Sequence, residues 1–397
     1  MLKKILICLD NSAQSNSGAD LGLAIARFEG AAATGCHVYA ANLHNDRFRQ
    51  MEAGLPPQYQ DTSRLKDQRE VHDTLISKGL RIISDSYNDV FLTSARTLGV
   101  EADAIAREGK NFEELIKEAT EGGYDLLVIG SSGLGNTTKG ETGSVCARVA
   151  RMSPCDTLIS RTDTDRCGTI IVAIDGSARS FGGLLTAIEL SKAFGGPIEA
   201  VSAYDTDYHR HAFRSLSGVL SDEAGRLFRF SEQERLHEEV IDKGLGRIYQ
   251  DHLETASRIA QMSSVAIKTT LLEGKPSDVV IRHVEEACPF LFVLGKTGAH
   301  ESPGLDIGSL TEKSLQRTSC NLLISSRRYE GDTETAASGT ATGDAPAWED
   351  DAVSILDSIP LFARAVVRLM VEDTARKEGV KMISPAFMRE VRKNMEG

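Results

Sequence analysis

Residues 125–144 read DLLVIGSSGLGNTTKGETGS, and residues 290–309 read FLFVLGKTGAHESPGLDIGS. Each stretch opens with an apolar run typical of a buried strand, continues into a glycine-rich loop and ends in a Gly-Ser pair that begins a helical pattern. The two stretches lie 165 residues apart (290 − 125 = 165). A buried strand that leads through a loop into a helix is the unit of an α/β fold, so this repeated stretch indicates the fold class.

The same offset relates landmarks throughout the two halves of the chain. The pairs are Asp10 and Asp175, Ser12 and Ser177, His72 and His237, Gly79 and Gly244, Gly130 and Gly295, Gly133 and Gly298, Gly143 and Gly308, Ser144 and Ser309, and Cys155 and Cys320. A constant offset over so many positions indicates one domain that has been duplicated. We therefore predict a first domain over residues 1–165 and a second over residues 166–328.

Short apolar runs alternate with helical patterns in both copies. The first copy contains KKILICLD, HVYAANL, VEADAIA, DLLVIG and DTLISR, and the second contains TIIVAID, PIEAVSAY, VAIKTTLL, PFLFVLG and NLLISS. Runs of this kind predict parallel strands with helices on both faces of the sheet.

Three segments lie outside this alternation. Long polar helical stretches over about residues 45–97 and 206–262 are either crossover helices packed on their own sheet or arms that contact another protein. Residues 329–347 contain no lysine or arginine and almost no large apolar residue, which is typical of a flexible acidic linker. Residues 348–397 are again periodic, and predict a small third helical domain.

Composition restricts the classes of partner. The formal net charge is −12, and no Lys/Arg-rich run stands beside aromatic residues, so we expect no nucleic acid as a partner. No apolar run approaches the roughly 18 residues of a membrane span, so none is expected. Seven cysteines without a CxxC pair argue against a disulfide framework and favour a cytoplasmic location.

The glycine-rich loops suit an anionic ligand. Gly143-Ser144 and Gly308-Ser309 begin helices, whose free N–H groups and positive dipole end attract phosphate. Asp10 and Asp175 end the first strand of each copy, where a carboxylate can accept hydrogen bonds from a ribose or a base. Two loops of identical spacing, each with an aspartate at the same distance upstream, predict two nucleotide sites.

The two halves resemble universal stress protein domains, in the subgroup whose loop G-x2-G-x9-G-[S/T] binds ATP. The resemblance covers about residues 1–328 and implies tandem five-stranded parallel α/β domains of the adenine-nucleotide-binding type. It implies ATP, or AMP or ADP, as ligand, with Mg²⁺ as an optional companion. The implied nucleotide-binding residues are Asp10, Gly130, Gly133, Gly143, Ser144 and Val145 in the first copy and Asp175, Gly295, Gly298, Gly308, Ser309 and Leu310 in the second. Because the family dimerises through its final strand, the halves are expected to form an intramolecular pseudo-dimer, to which further homo-oligomerisation could add.

Some details depart from the family pattern. Its contact to the base from the second strand cannot be assigned, because Ala41 plus 165 is Thr206, beyond the strand PIEAVSAY, so the copies look out of step there. Ser132 and Thr297 stand where the family often has a basic residue. Lys296, one position before Thr297, is either a phosphate contact or a solvated loop charge.

Residues 348–397 resemble the small helical domain at the C-terminal end of the catalytic subunit of light-independent protochlorophyllide reductase. The matching residues are Trp348, Ile359, Pro360, Phe362, Arg364, Arg368, Glu372, Ala375, Arg376, Gly379 and Ile383. No iron–sulfur cysteines accompany the match, so reductase activity is not implied. The charges that step by four along this helix are either a solvated ladder or a docking surface for a partner.

These observations predict a nucleotide-binding regulator of the stress response and not an enzyme, since no base, nucleophile or metal set can be assigned. One alternative is a slow ATPase. Another is a scaffold whose helical arms or residues 348–397 dock a protein, such as a redox or tetrapyrrole-related enzyme.

Overall fold

The computed structural model describes residues 2–59, 61–135, 141–161, 166–206, 242–299, 306–331, 346–358, 367–368, 371–372, 374–375 and 378–396. The chain divides into two compact units. One comprises Met1–Asp205 with His252–Gly331, and the other comprises Thr206–Asp251 with Asp332–Gly397. The first unit contains the strands of both sequence copies.

The first copy alternates strands and helices as predicted. Its elements are β1 (Lys4–Leu9), α1 (Ala13–Glu29), β2 (Ala32–Tyr39), α2 (Ala41–Met51), α3 (Thr62–Leu98), β3 (Ala102–Glu108), α4 (Asn111–Gly122), β4 (Leu126–Gly130), α5 (Ser144–Met152) and β5 (Asp156–Ser160), with short 3-10 turns at Glu52–Gly54 and Pro57–Tyr59. Helix α1 begins where the Ser12 hydroxyl accepts a hydrogen bond from the Ser15 N–H, and it ends at Gly30 in the left-handed conformation.

The second copy repeats this order over the described residues. Its elements are β6 (Ile170–Ala173), α6 (Ala178–Phe194), β7 (Ile198–Tyr204), α7 (Asp242–Met262), β8 (Ile267–Glu273), α8 (Pro276–Ala287), β9 (Leu291–Gly295), α9 (Ser309–Arg317) and β10 (Asn321–Ser325). Ser177 and Gly195 cap α6 as Ser12 and Gly30 cap α1, so the 165-residue offset extends to the cap geometry.

The ten strands form one sheet in the order β3-β2-β1-β4-β5-β10-β9-β6-β7-β8. Pairing is parallel within each half, and the final strands β5 and β10 pair antiparallel, with Leu322 opposite Ile159. The predicted fold class, tandem parallel α/β domains, is confirmed. In each half the chain reverses direction across the sheet between the first and fourth strands, where ligands bind in open α/β sheets.

Helices cover both faces of this sheet because side chains alternate along each strand. Ile5, Ile7 and Leu9 of β1 belong to a core cluster that also includes residues of α1, α3, α6 and α7. Leu6 and Cys8 belong to a second cluster, with residues of α4, α5, α8 and α9. Both clusters include residues of the two halves, so the core is continuous across the β5–β10 pair.

The first helical arm is confirmed as helical, but it is divided into α2 and α3. The last turns of α3 are packed, with Phe91 and Ala95 buried in the core, whereas Val71 and Leu75 near its start are exposed. In the second arm, residues 207–241 lie outside the described residues. Across the described part of the chain, no helix is both long enough and apolar enough to cross a bilayer.

The second unit has a small core of its own. Strands β11 (Ala347–Trp348) and β12 (Met382–Ile383) pair in parallel, and α10 (Asp350–Ser358) and α11 (Pro385–Glu396) accompany them. Arg368 pairs with Glu372 at 3.0 Å, and Glu372 also accepts a hydrogen bond from the indole of Trp348. The remaining positions of the predicted charge ladder, Arg364 and Arg376, and residues 332–345 of the predicted linker lie outside the described residues.

Candidate functional site

All six residues implied in the first copy line a single cavity at the carboxyl ends of β1 and β4. The cavity has a volume of about 920 Å³, and its lining includes Asp10, Gly130, Gly133, Gly143, Ser144 and Val145. These residues come from segments more than a hundred positions apart in the chain. They meet because Ile7 of β1 pairs with Val128 of β4, which aligns the strand ends.

The Asp10 carboxylate connects the end of β1 to the loop that follows β4. Its Oδ1 accepts a hydrogen bond of 2.9 Å from the Ser12 N–H, and a β-carbon on Gly133 would lie 2.6 Å from its Oδ2. Asp175 repeats this role, because it accepts hydrogen bonds from the N–H groups of Ser177 and Ala299 at 3.0 and 2.9 Å. Asp175 therefore holds its loop through the Ala299 N–H, and Asp10 lies in close contact with the first loop at Gly133 while it also lines the cavity.

The first glycine of each loop packs against the start of a helix. A β-carbon on Gly130 would lie 2.8 Å from the backbone nitrogen of Ser15, in the first turn of α1. A β-carbon on Gly295 would similarly lie 3.1 Å from the Cβ of Arg179 in α6. Both glycines let a helix start close to the end of the central strand.

The last glycine of each loop is less crowded. Gly143 is the N-cap of α5, and a β-carbon there would meet only ordinary contacts, from 3.4 Å upward. Its N–H donates to the Ser131 carbonyl at 2.7 Å, and Gly308 donates to Lys296 in the same way at 2.8 Å. The N–H groups of the first turn of α5 follow directly, and such groups lack partners within a helix.

The residues that follow these glycines are also placed alike. Ser144 and Ser309 are exposed at the starts of α5 and α9, while Val145 and Leu310 pack partly against the core of that face. The structure thus puts a free hydroxyl and a row of helix-start N–H groups at the same edge of each half. That arrangement is suited to an anion. Residues 136–140 and 300–305, in the middle of the two loops, lie outside the described residues.

A second wall of the first cavity was missed by sequence reasoning. It is formed by His37, Val38, Tyr39 and Ala40 at the end of β2, Leu80, Ile83 and Tyr87 of α3, and Asn111 and Leu115 of α4. The rings of His37 and Tyr87 meet edge to face, with centroids 5.0 Å apart. Burial lowers the pKa of His37, and the opposing effect of Asp10 is smaller, so this ring is neutral at pH 7. The wall combines aromatic rings with apolar side chains, which is the kind of surface that a flat aromatic ligand packs against.

The expectation that the copies are out of step after the second strand is wrong. Tyr39 pairs with Glu108 and Tyr204 pairs with Glu273, and both pairs keep the offset of 165. Strand β2 ends at Tyr39, so Ala41 lies just beyond its strand as Thr206 does. The run HVYAANL predicts a strand through Leu43, whereas in the structure its second half begins helix α2.

The second copy holds its loop with basic side chains that the first copy lacks. The Arg179 guanidinium donates to the Thr297 hydroxyl, and the Lys296 ammonium donates to the carbonyl of Ser153 at 2.9 Å. The corresponding first-copy residues are Gln14 and Ser131. Lys296 is half-buried and directed at the end of α5 in the other half, so it is not a fully solvated loop charge, and its contact with a phosphate stays a prediction. Burial, with a smaller effect of Arg179, lowers its pKa.

The histidines of the two copies have different surroundings. His252 takes the position of Tyr87, and its ring fills the space beside Gly176, just after Asp175. Burial lowers the pKa of His252 against a smaller effect of Asp175. His72 is a stacking partner of Phe48, with centroids 4.0 Å apart, which connects α2 to α3; His237 lies outside the described residues. Among the described residues, no cluster of three His, Cys, Asp or Glu side chains could hold a metal ion.

Comparison with known proteins defines the class. The family model described as universal stress protein family matches residues 1–161 and again 167–326. A second model, described as proto-chlorophyllide reductase 57 kD subunit, matches residues 348–392. The fold and the loop geometry define a tandem α/β protein with two matching halves. The chain belongs to the universal stress protein family.

Individual relatives agree with this assignment. Universal stress protein YxiE of Bacillus subtilis is 26% identical over 161 residues, which are 41% of this chain and 100% of that protein. Universal stress protein MJ0531 of Methanocaldococcus jannaschii is 24% identical over 155 residues, 39% of this chain and 79% of that protein. The crystal structure of a universal stress protein from Archaeoglobus fulgidus shares the fold at 15% identity and a TM-score of 0.51, covering 83% of this chain and 97% of that one.

Proposed function

We propose that this protein binds an adenine nucleotide, with ATP as the preferred ligand, in the cavity of its first half. The observation that carries the proposal is that all six motif residues of this copy line one cavity of about 920 Å³. That volume is within the range of about 300–1,000 Å³ of small-molecule sites. AMP and ADP would occupy the same cavity with fewer phosphate contacts.

The proposed orientation follows from the chemistry of the two walls. The phosphates lie at Gly143 and Ser144, where the helix-start N–H groups favour an anion. The ribose lies near Asp10, whose carboxylate accepts hydrogen bonds. The base lies against the wall that contains His37 and Tyr87, because a neutral, partly apolar wall suits an uncharged ring.

The second half is proposed to bind the same ligand more weakly. Arg179 and Lys296 are engaged with Thr297 and with the Ser153 carbonyl, so a phosphate must compete with these contacts. Gly308, Ser309 and Leu310 keep the arrangement of the first copy, which supports a site of the same type. Mg²⁺ would reach either site with the nucleotide and not through a preformed cluster of protein ligands.

The proposed role is regulatory. Nucleotide binding would report the state of the cell through the arms or through residues 348–397, without catalysis. The antiparallel β5–β10 pair supports a functional pseudo-dimer of the two halves. A slow ATPase is the competing function, and sustained phosphate release that depends on Mg²⁺ and on Gly143 would establish it. Residues 348–392 match a model of an enzyme subunit, which favours a protein partner for this segment. A partner that binds the full chain but not a chain lacking these residues would support this role.

Equilibrium dialysis with radiolabelled ATP, with GTP as competitor, tests the binding proposal. The chain should take up ATP, and GTP should displace it poorly. Gly143→Val should weaken the tighter site at least tenfold, and Gly308→Val should remove the weaker one. Gly54→Val is the matched control, because a β-carbon there would meet nothing within 4 Å and Gly54 lies in a surface turn outside the cavity lining. Undiminished uptake by the Gly143→Val, Gly308→Val double variant would contradict the proposal.

A further inference from the structure

Arg161 lies directly behind the first loop. It follows β5, whose last residue, Ser160, pairs with Gly130 at the end of β4. Its backbone N–H donates to the Asn321 side chain of the other half at 2.9 Å. Arg161 therefore lies at the carboxyl edge of the sheet, in contact with Thr142, the residue before Gly143.

The guanidinium of Arg161 makes only uncharged contacts. Its Nη2 donates to the Thr142 hydroxyl at 3.0 Å and to the carbonyl of Leu315, and the Thr142 hydroxyl donates to that same carbonyl. Its Nε is sealed from solvent and makes no hydrogen bond. Within the part of the chain that the structure describes, no carboxylate pairs with it.

The ionisable groups that act on Arg161 are thiols. Burial raises the pKa of Cys146 to about 12 and that of Cys320 to about 11, so both are neutral at pH 7. Burial also lowers the pKa of Arg161, but a guanidinium stays protonated in proteins. Among the described residues, the site therefore contains a positive charge that no carboxylate or thiolate balances. Such charges are costly to keep away from water, and they are concentrated at functional sites.

This charge is separated from the cavity by a single layer of residues. Thr142, which accepts the hydrogen bond from Arg161, and Cys146 both line the cavity, on either side of Gly143 and Ser144. A low dielectric between two charges strengthens their interaction, so a phosphate at Gly143 would be attracted electrostatically to the Arg161 guanidinium. In the second half, the equivalent position is Ser326, whose N–H and hydroxyl bond to Asp156 and to the Cys155 carbonyl.

We propose that Arg161 is a positioning residue for the phosphate chain at the first site, acting through Thr142, and that it makes this site select nucleotides by their negative charge. The inference rests on the proposed nucleotide function and deepens it. Affinity should increase from adenosine through AMP and ADP to ATP because each added phosphate charge interacts with the same buried cation. The second half lacks this residue, so its selectivity by charge must come from other groups.

Dissociation constants for adenosine, AMP, ADP and ATP, measured by calorimetry at fixed ionic strength, test the inference. The parent is Gly308→Val, in which the second site is silenced, and Arg161→Met is added to it. ATP affinity should fall about tenfold and AMP affinity less, while adenosine affinity should not change. Arg161→Lys, which keeps the charge, should restore most of the loss. An equal loss for all four ligands, or unchanged ATP affinity, would overturn the inference.

Stability provides a second readout, which separates a charge effect from a structural one. Without nucleotide, Arg161→Met removes an unbalanced charge, and the Leu315 carbonyl keeps the Thr142 hydroxyl as a partner. The melting temperature should stay the same or rise. A fall of many degrees would identify a structural role and overturn the inference. Absence of ATP binding by the Gly308→Val parent would refute the proposed function of the first site itself.

Discussion

The carboxylate of Asp10 lies so close to Gly133 that a β-carbon on residue 133 would come within 2.6 Å of Oδ2. The end of β1 and the loop after β4 are thus fitted to each other at a single contact. Because Asp175 and Gly298 repeat the relationship, each half depends on one aspartate and one glycine to shape its loop.

Gly133→Ala should therefore act through Asp10. The added methyl group must displace the carboxylate or the loop, and we expect the free energy of unfolding to fall by about 1–3 kcal/mol, as overpacking usually costs. In an Asp10→Ala background the same substitution should cost much less, because the opposing group is absent. Urea unfolding of the four proteins measures the coupling. Purely additive effects would mean that the contact does not constrain the loop.

The connection between the halves should depend on Asp156. This buried carboxylate accepts hydrogen bonds from the N–H groups of Ser326 and Arg327 at 2.7 and 3.0 Å and from the hydroxyl of Thr186 at 3.0 Å. Asp156→Ala leaves these donors unsatisfied, and should lower the free energy of unfolding by about 3 kcal/mol. Asp156→Asn, which keeps an acceptor and matches Asn321 in the other copy, should cost less than about 1 kcal/mol. Equal losses would contradict this assignment of the bonds.

The same residue predicts a pH effect. Burial raises the pKa of Asp156 in the folded state, against the smaller opposing effect of its hydrogen bonds. Between that pKa and the unfolded value of about 3.9, the folded state binds a proton that the unfolded state lacks. The wild type should therefore gain stability relative to Asp156→Asn as the pH falls through this range, and lose it as the pH rises. A difference between the two proteins that does not change with pH would exclude the shift.

His37 should affect the pH dependence of stability in the opposite direction. Burial lowers its pKa, so below the unfolded value of about 6.5 the unfolded state binds the proton first. Its contribution to stability is present above that pH and is lost as the pH falls through the folded pKa. His37→Gln should flatten the decline in the free energy of unfolding as the pH falls below about 6.5, and adding His252→Gln should flatten it further. Denaturant titrations at several pH values measure this, and identical slopes would refute it.

The features that the sequence could predict are those fixed by backbone periodicity. The constant offset of 165 residues predicted that Asp10 and Gly143 belong to one site, because an aspartate at a strand end and a glycine at a helix start recur together in the second copy. The exact end of β2 could not be read in the same way. The residues after Tyr39 continue an apolar pattern that fits a strand and a helix equally well, and in the structure they begin helix α2.

Contacts between side chains distant in sequence were not predictable. Tyr87 reaches the cavity from the C-terminal half of a 37-residue helix, and only the packing of that helix on β2 and β3 brings it there. The bond from Arg179 to Thr297 and the burial of Arg161 likewise depend on how two segments meet, which composition does not record. The packing role of Gly130 against α1 was missed for the same reason.

Photolabelling with 8-azido-ATP, followed by peptide mapping, tests most directly the claim that an adenine nucleotide occupies the first cavity. The label should appear on the peptide that contains His37–Ala40 or on the one that contains Tyr87. Excess ATP and Gly143→Val should each suppress it, whereas Gly54→Val should not. Labelling of other peptides alone, or labelling that Gly143→Val leaves unchanged, would contradict the account.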